Sequence, residues 1–210
     1  MIFTWYTQMQ KRFPFLCFYL VFLPLCAGTG SGTDSGLYYL MYYVLIGIVG
    51  FSVNTVVAVF NGESTSKWGK YKITLPVKRA DIVKSLFLSH IFWLGVGIVF
   101  AGAGTGLSGL LYGYSFAQYR ELSLIFALGI SISLLVGAIF IPLFYLGGED
   151  KTIAFLIISL LCAIGIASLF VNVTTNVDYL LRLAVILGSS AAALLLSYPL
   201  TLCIFRRKEY

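Results

Sequence analysis

Apolar residues run through this chain in long blocks, and short polar segments break them apart. Six blocks stand out, at about 13–27, 37–60, 82–103, 121–146, 152–173 and 179–205. A helix needs about 20 mostly apolar residues to cross the hydrocarbon of a bilayer. The first block, from Phe13 to Ala27, is the shortest and carries Pro14 and Pro24 at its ends. A closed β-barrel is the other way to satisfy a backbone in lipid, and its strands alternate apolar and polar positions. The run IAFLIISLLCAIGIASLFV (153–171) does not alternate. The pattern therefore predicts an all-α integral membrane protein with six transmembrane helices.

Composition agrees with that class. The 210 residues are 60% hydrophobic and 10% charged, against about 25% charged in an ordinary soluble domain. Too few charges are present to solvate a globular surface, so much of the surface must face lipid. The net charge of +6 raises nucleic acid as a partner. The basic residues, however, sit at block ends and in one loop and form no free basic domain, which is the placement of membrane topology signals.

That loop is the one long polar stretch, NGESTSKWGKYKITLPVKRADIVK (61–84), with Lys67, Lys70, Lys72, Lys78, Arg79 and Lys84. Positive residues stay on the cytoplasmic side during insertion. With both termini cytoplasmic, twelve basic residues lie inside: Lys11, Arg12, the six of the loop, Lys151, Arg206, Arg207 and Lys208. Only Arg120 and Arg182 lie outside. Residues 1–27 also have the layout of a signal peptide, and Leu23-Pro24-Leu25-Cys26 hints at a lipoprotein cleavage box. Leu25 is too large for the residue before a lipidated cysteine, which favours an uncleaved first span. Trp5 and Tyr6 in MIFTWYTQMQKR suit a segment lying in the cytoplasmic interface. The longest outside segment, 104–120, mixes glycines with Tyr112, Tyr114, Phe116 and Tyr119. It reads as an interfacial or re-entrant piece, or as an aromatic-belt loop.

Motifs of chemistry are few. Gly104-Thr105-Gly106-Leu107-Ser108-Gly109 fits G-x-G-x-x-G literally. The dinucleotide fingerprint needs a strand before it, a helix after it and an acidic residue about 20 positions on, and here it follows a membrane span. No G-x-x-x-x-G-K-[ST] occurs, so ATP-driven work would come from a partner. His90 is the single histidine, one turn into the third span near Trp93, and reads as structural. Cys17, Cys26, Cys162 and Cys203 lie in or beside apolar runs and read as small hydrophobes with no metal-ligand spacing. Asn172-Val173-Thr174 matches a glycosylation sequon but abuts the membrane. Asn54, Thr55, Ser131 and Ser133 are the main uncharged polar groups at depth, and Asp178 and Arg182 have i,i+4 spacing. This is too sparse for an ion or proton pathway. Gly47, Gly50, Gly95, Gly97, Gly129, Gly137 and the 188–193 run invite close helix packing.

Trp68 and Tyr71 are three apart and share a helical face, and aromatics of this kind anchor protein interfaces. Pro76 disfavours helix at Leu75, separating a docking helix at about 64–74 from the third span. Asp81 falls near the start of that span, where an anion is favoured. The same loop resembles the signature region of bacterial ABC-2 type permeases, in particular the small six-span group that includes exporters of antimicrobial peptides. The residues carrying the likeness are Glu63, Trp68, Tyr71, Leu75, Pro76, Lys78 and Arg79, followed by Ile82-Val83-Lys84. The first residues depart from the family, which often begins with a Lys-Asp step.

The resemblance implies one type V exporter-like permease domain over residues 1–210, in the bacterial cytoplasmic membrane. The loop at 61–81 would be a coupling element held by an ABC ATPase, in an assembly of two ATPases with two permeases, either two copies of this chain or this chain and a sibling permease. No cofactor is expected in this chain, ATP and magnesium belonging to the ATPase, and the chain itself is expected not to be an enzyme. The cargo implied is amphipathic or hydrophobic, such as a peptide. The competing expectation is a membrane channel, scaffold or sensor without a motor.

Overall fold

The computed structural model describes residues 38, 40–53, 79–113, 115–147, 151–175 and 177–207. Within them the apolar blocks become five helices: α1 (Leu40–Val53), α2 (Arg79–Tyr112), α3 (Phe116–Gly147), α4 (Thr152–Val173) and α5 (Tyr179–Arg207). The last four are long and apolar enough to cross a membrane, and α1 is a shorter apolar helix. The expected spans at 121–146, 152–173 and 179–205 match α3, α4 and α5 within a few residues. The expected first span lies outside the described residues, as does the part of the second beyond Val53.

One expectation is corrected. The segment 104–120 is neither a re-entrant piece nor a long loop, because α2 continues through Gly104 and Gly109 to Tyr112. The break is confined to 113–115. Gly113 adopts φ +63°, and its N–H bonds to the Gly109 carbonyl at 2.9 Å. This is the left-handed helix stop that glycine makes without steric cost. Ser115 then starts α3 with a reciprocal cap. Its N–H donates to Gln118 Oε1 at 2.8 Å, and the Gln118 N–H donates to Ser115 Oγ at 3.4 Å, which is the capping-box arrangement. A stop and a start so close in sequence join α2 and α3 as a helical hairpin.

The helix α3 lies at the centre. Of its most apolar window 61% is buried, against 17% for α4 and 22% for α5. It packs most extensively against α5, then α4, and less against α2. The buried face of α4 is a stripe of small residues at helical spacing, Ser159, Ala163 and Ala167, and the two alanines cluster with Ile132, Leu135 and Val136 of α3. Small side chains let two helices approach closely where lipid supplies no hydrophobic drive for association. The other α4 faces expose Ile153, Ile157, Leu161, Ile164 and Leu169, as lipid contact requires.

Glycine serves packing at some of the expected places only. Gly97 faces Phe51, where an added Cβ would lie 3.1 Å from the Phe51 Cβ, and Gly129 faces Ile48. Gly50, Gly95 and Gly188 have no neighbour within 4 Å among the described residues.

Candidate functional site

The predicted coupling residues fall on the approach to α2. Glu63, Trp68, Tyr71, Leu75, Pro76 and Lys78 lie outside the described residues, and Arg79 is the first residue of α2. Asp81 stands in the first turn as expected. It and Lys84 are exposed, while Val83, Leu86 and Phe87 turn inward and are buried. These three join the largest buried cluster, with Phe140, Ile141, Phe144 and Tyr145 of α3 and Leu194 of α5; Phe155 and Leu156 of α4 pack against it. Phe87 meets Tyr198 edge-on with ring centroids 5.6 Å apart. The first two turns of α2 are thus seated on α3 and α5, at the end of the bundle that also carries Lys151 and Arg206.

One turn further along α2 is His90, buried at 2% exposure. Its Nε2 lies 3.1 Å from the backbone oxygen of Ser133 on α3. A carbonyl oxygen only accepts, so Nε2 carries the proton and Nδ1 is the bare nitrogen. Nδ1 and the hydroxyls of Ser131 and Ser133 have no hydrogen-bond partner among the described residues. The contact depends on Gly137. The Ser133 carbonyl is the helical acceptor for the residue four positions on, which is Gly137, and a Cβ there would lie 2.5 Å from His90 Nε2. The missing side chain therefore opens the route by which the imidazole reaches the carbonyl.

A second polar tie is built around Pro142, inside α3. Proline has no N–H, so the carbonyl four residues earlier loses its helical partner. That carbonyl belongs to Ala138, and Ser197 Oγ of α5 donates to it at 2.6 Å. Thr201 Oγ1 in turn donates to the Ser197 carbonyl at 2.8 Å. Most other serines in the bundle bond back to their own helix, such as Ser52 to Val49 and Ser159 to Leu156; this self-satisfaction allows hydroxyls at depth.

The opposite end of the bundle is tied by Tyr179, at the start of α5. Its hydroxyl donates to the Arg120 carbonyl at 3.2 Å and bonds with Ser123 Oγ. The Arg120 guanidinium lies 4.6 Å over its ring. The expected Asp178–Arg182 side-chain pair does not form among the described residues: Arg182 bonds to Asp178 through the backbone, N to O at 2.8 Å, and its Nε has no partner.

Among the described residues no cluster of His, Cys, Asp and Glu is suited to a metal ion. Gly104, Gly106 and Gly109 stand inside a helix and so do not make the strand-to-helix turn a dinucleotide needs. What the arrangement offers is mechanical: a basic entry segment, a helix seated on the bundle core, and polar ties between helices.

Compared with known families, the chain matches a model described as ABC-2 family transporter protein over residues 6–206, nearly its full length. This chain belongs to the ABC-2 transporter family. Neither a curated protein nor a solved structure matches it. As an ABC-2 membrane protein it is a multi-pass transmembrane subunit of an ABC transporter, and its family implies an ATPase partner. ABC-2 permeases are normally non-catalytic membrane subunits.

The sequence singled out α2's entry segment but missed all three ties. Pro142 and the serines were visible; their partners are 43 to 59 residues away, and no local pattern links them.

Proposed function

We propose that this ABC-2 permease exports an amphipathic or hydrophobic cargo, such as a peptide, across a bacterial cytoplasmic membrane. A separate ATPase drives it by gripping the 61–81 loop. In this reading the chain has six spans with both termini cytoplasmic, and it works as two permease copies with two ATPases. ATP and magnesium stay on the ATPase, and this chain supplies no cofactor site.

The observation that carries the reading is the family match over residues 6–206. The geometry of α2 supports the role of the loop. Whatever moves Arg79 moves a helix whose first turns pack on α3 and α5 through Val83, Leu86 and Phe87. Trp68 and Tyr71 are the anchors in the ATPase cleft, Glu63, Lys78 and Arg79 are its charged contacts, and Leu75-Pro76 is the hinge between docking helix and span.

The double variant Trp68→Ala, Tyr71→Ala tests this. Membrane insertion should persist, while the co-purifying ATPase is lost or its hydrolysis no longer drives transport. Full transport and ATPase stimulation in the double variant would overturn the docking role. If no ATPase travels with the wild-type chain in mild detergent, the motor-independent channel or scaffold replaces the exporter reading.

A further inference from the structure

We propose that His90 is the positioning residue that carries movement of α2 into α3, with Gly137 as its seat. This rests on the reading that the 61–81 loop is driven by an ATPase.

Three features support it. First, among the described residues α3 packs more extensively against α5 and α4 than against α2, so a shift of α2 along α3 disturbs fewer contacts than a shift of α3 against α5 or α4. Second, where α2 meets α3 the contact is directional. The His90 N–H points at one backbone oxygen, that of Ser133, at 3.1 Å, through a gap that only a residue without Cβ leaves open. An apolar contact slides with little change in energy, whereas a hydrogen bond weakens steeply once its angle falls. Third, the bond lies one to two turns beyond Val83, Leu86 and Phe87 on the same helix, so a displacement entering at Arg79 reaches it within a few residues. An imidazole buried among apolar spans is costly and calls for a role, and packing alone would be served by Phe or Leu.

The chain's single histidine makes the geometry directly observable. In ¹⁵N-histidine-labelled protein in lipid nanodiscs, one imidazole signal set should report a proton on Nε2 and a bare Nδ1. Gly137→Ala should shift it by displacing the ring. A proton on Nδ1 with bare Nε2, or a signal unmoved by Gly137→Ala, overturns the proposal.

The coupling is read in the permease–ATPase complex by spin labels at Lys84→Cys and Lys151→Cys, with the native cysteines replaced by alanine. In the His90-containing complex, ATP with magnesium and vanadate should shift the distance between the labels. His90→Phe and Gly137→Ala should lose that shift while complex assembly and thermal stability are kept. His90→Gln, whose amide retains a donor, should restore it. Variants that still shift as the parent does overturn the role of His90 and leave the loop reading standing. A parent complex that assembles yet shows no shift overturns both, and the absence of any ATPase from the parent overturns the loop reading and with it this inference. If His90→Phe does not assemble, the comparison of Gly137→Ala with His90→Gln decides between the same outcomes.

Discussion

Ser197 and Pro142 show how a helix defect is repaired from a neighbouring helix. Pro142 strips the Ala138 carbonyl of its donor, and in hydrocarbon no water replaces it. Ser197, 59 residues further along the chain, supplies the bond at 2.6 Å. Ser197→Ala should therefore destabilise the bundle by about 1 kcal/mol, the scale of one interhelical hydrogen bond in a membrane. Ser197→Thr, which keeps the hydroxyl, should cost less. Unfolding midpoints in mixed micelles check both, and equal loss in the two variants would count against the hydrogen bond as the cause. Neither residue was a candidate on sequence grounds. A proline in an apolar run announces an orphaned carbonyl but not its rescuer, because serine is common in such runs and mostly bonds to its own helix.

At the scale of the elements, the α2–α3 hairpin is the main departure from expectation. Its glycines and tyrosines suggested a loop, since glycine is a poor helix former in water. In the structure the helix persists to Tyr112, and Gly113 takes the left-handed conformation. Placing a β-branched side chain there, as in Gly113→Val, should cost roughly 1–2 kcal/mol or more. Gly106→Ala, in the same helix with open space around it, should be neutral or stabilising. Comparing the two by thermal melting in detergent separates a backbone requirement from a packing one. Ser115→Ala should cost about 1 kcal/mol through loss of the cap. The capping box was legible in Ser115 and Gln118, but the aromatic residues around them drew the reading towards an interface.

The whole molecule is set by helix lengths that differ. The 34 residues of α2 and 32 of α3 reach roughly 50 Å at 1.5 Å per residue, whereas the hydrocarbon core is about 30 Å thick. The 22 residues of α4 nearly match it. The hairpin must tilt, project beyond the bilayer, or both. With the basic loop cytoplasmic, its tip at 113–115 lies on the far side. A membrane-impermeant maleimide should label Ser115→Cys from outside intact cells, and Lys84→Cys only after the cells are opened. The reverse pattern would overturn the proposed orientation and the ATPase site with it.

Membrane class and the positions of α3, α4 and α5 were legible in the sequence alone. The physical reason is that a bilayer demands a set length of apolar helix whatever packs beside it. The aromatic–proline loop likewise pointed to the family from local residues, because a signature of this kind occupies one short segment. Which helix lies at the centre, which glycines are contacts, and why His90 is tolerated at depth were decided only by tertiary structure. Each of these depends on what a helix face meets: Gly97 and Gly95 are alike in sequence context, yet only Gly97 meets Phe51. In lipid, both faces of a helix are apolar, so hydrophobic pattern loses the power to say which side turns inward, and small residues and hydrogen bonds between distant positions take over that choice.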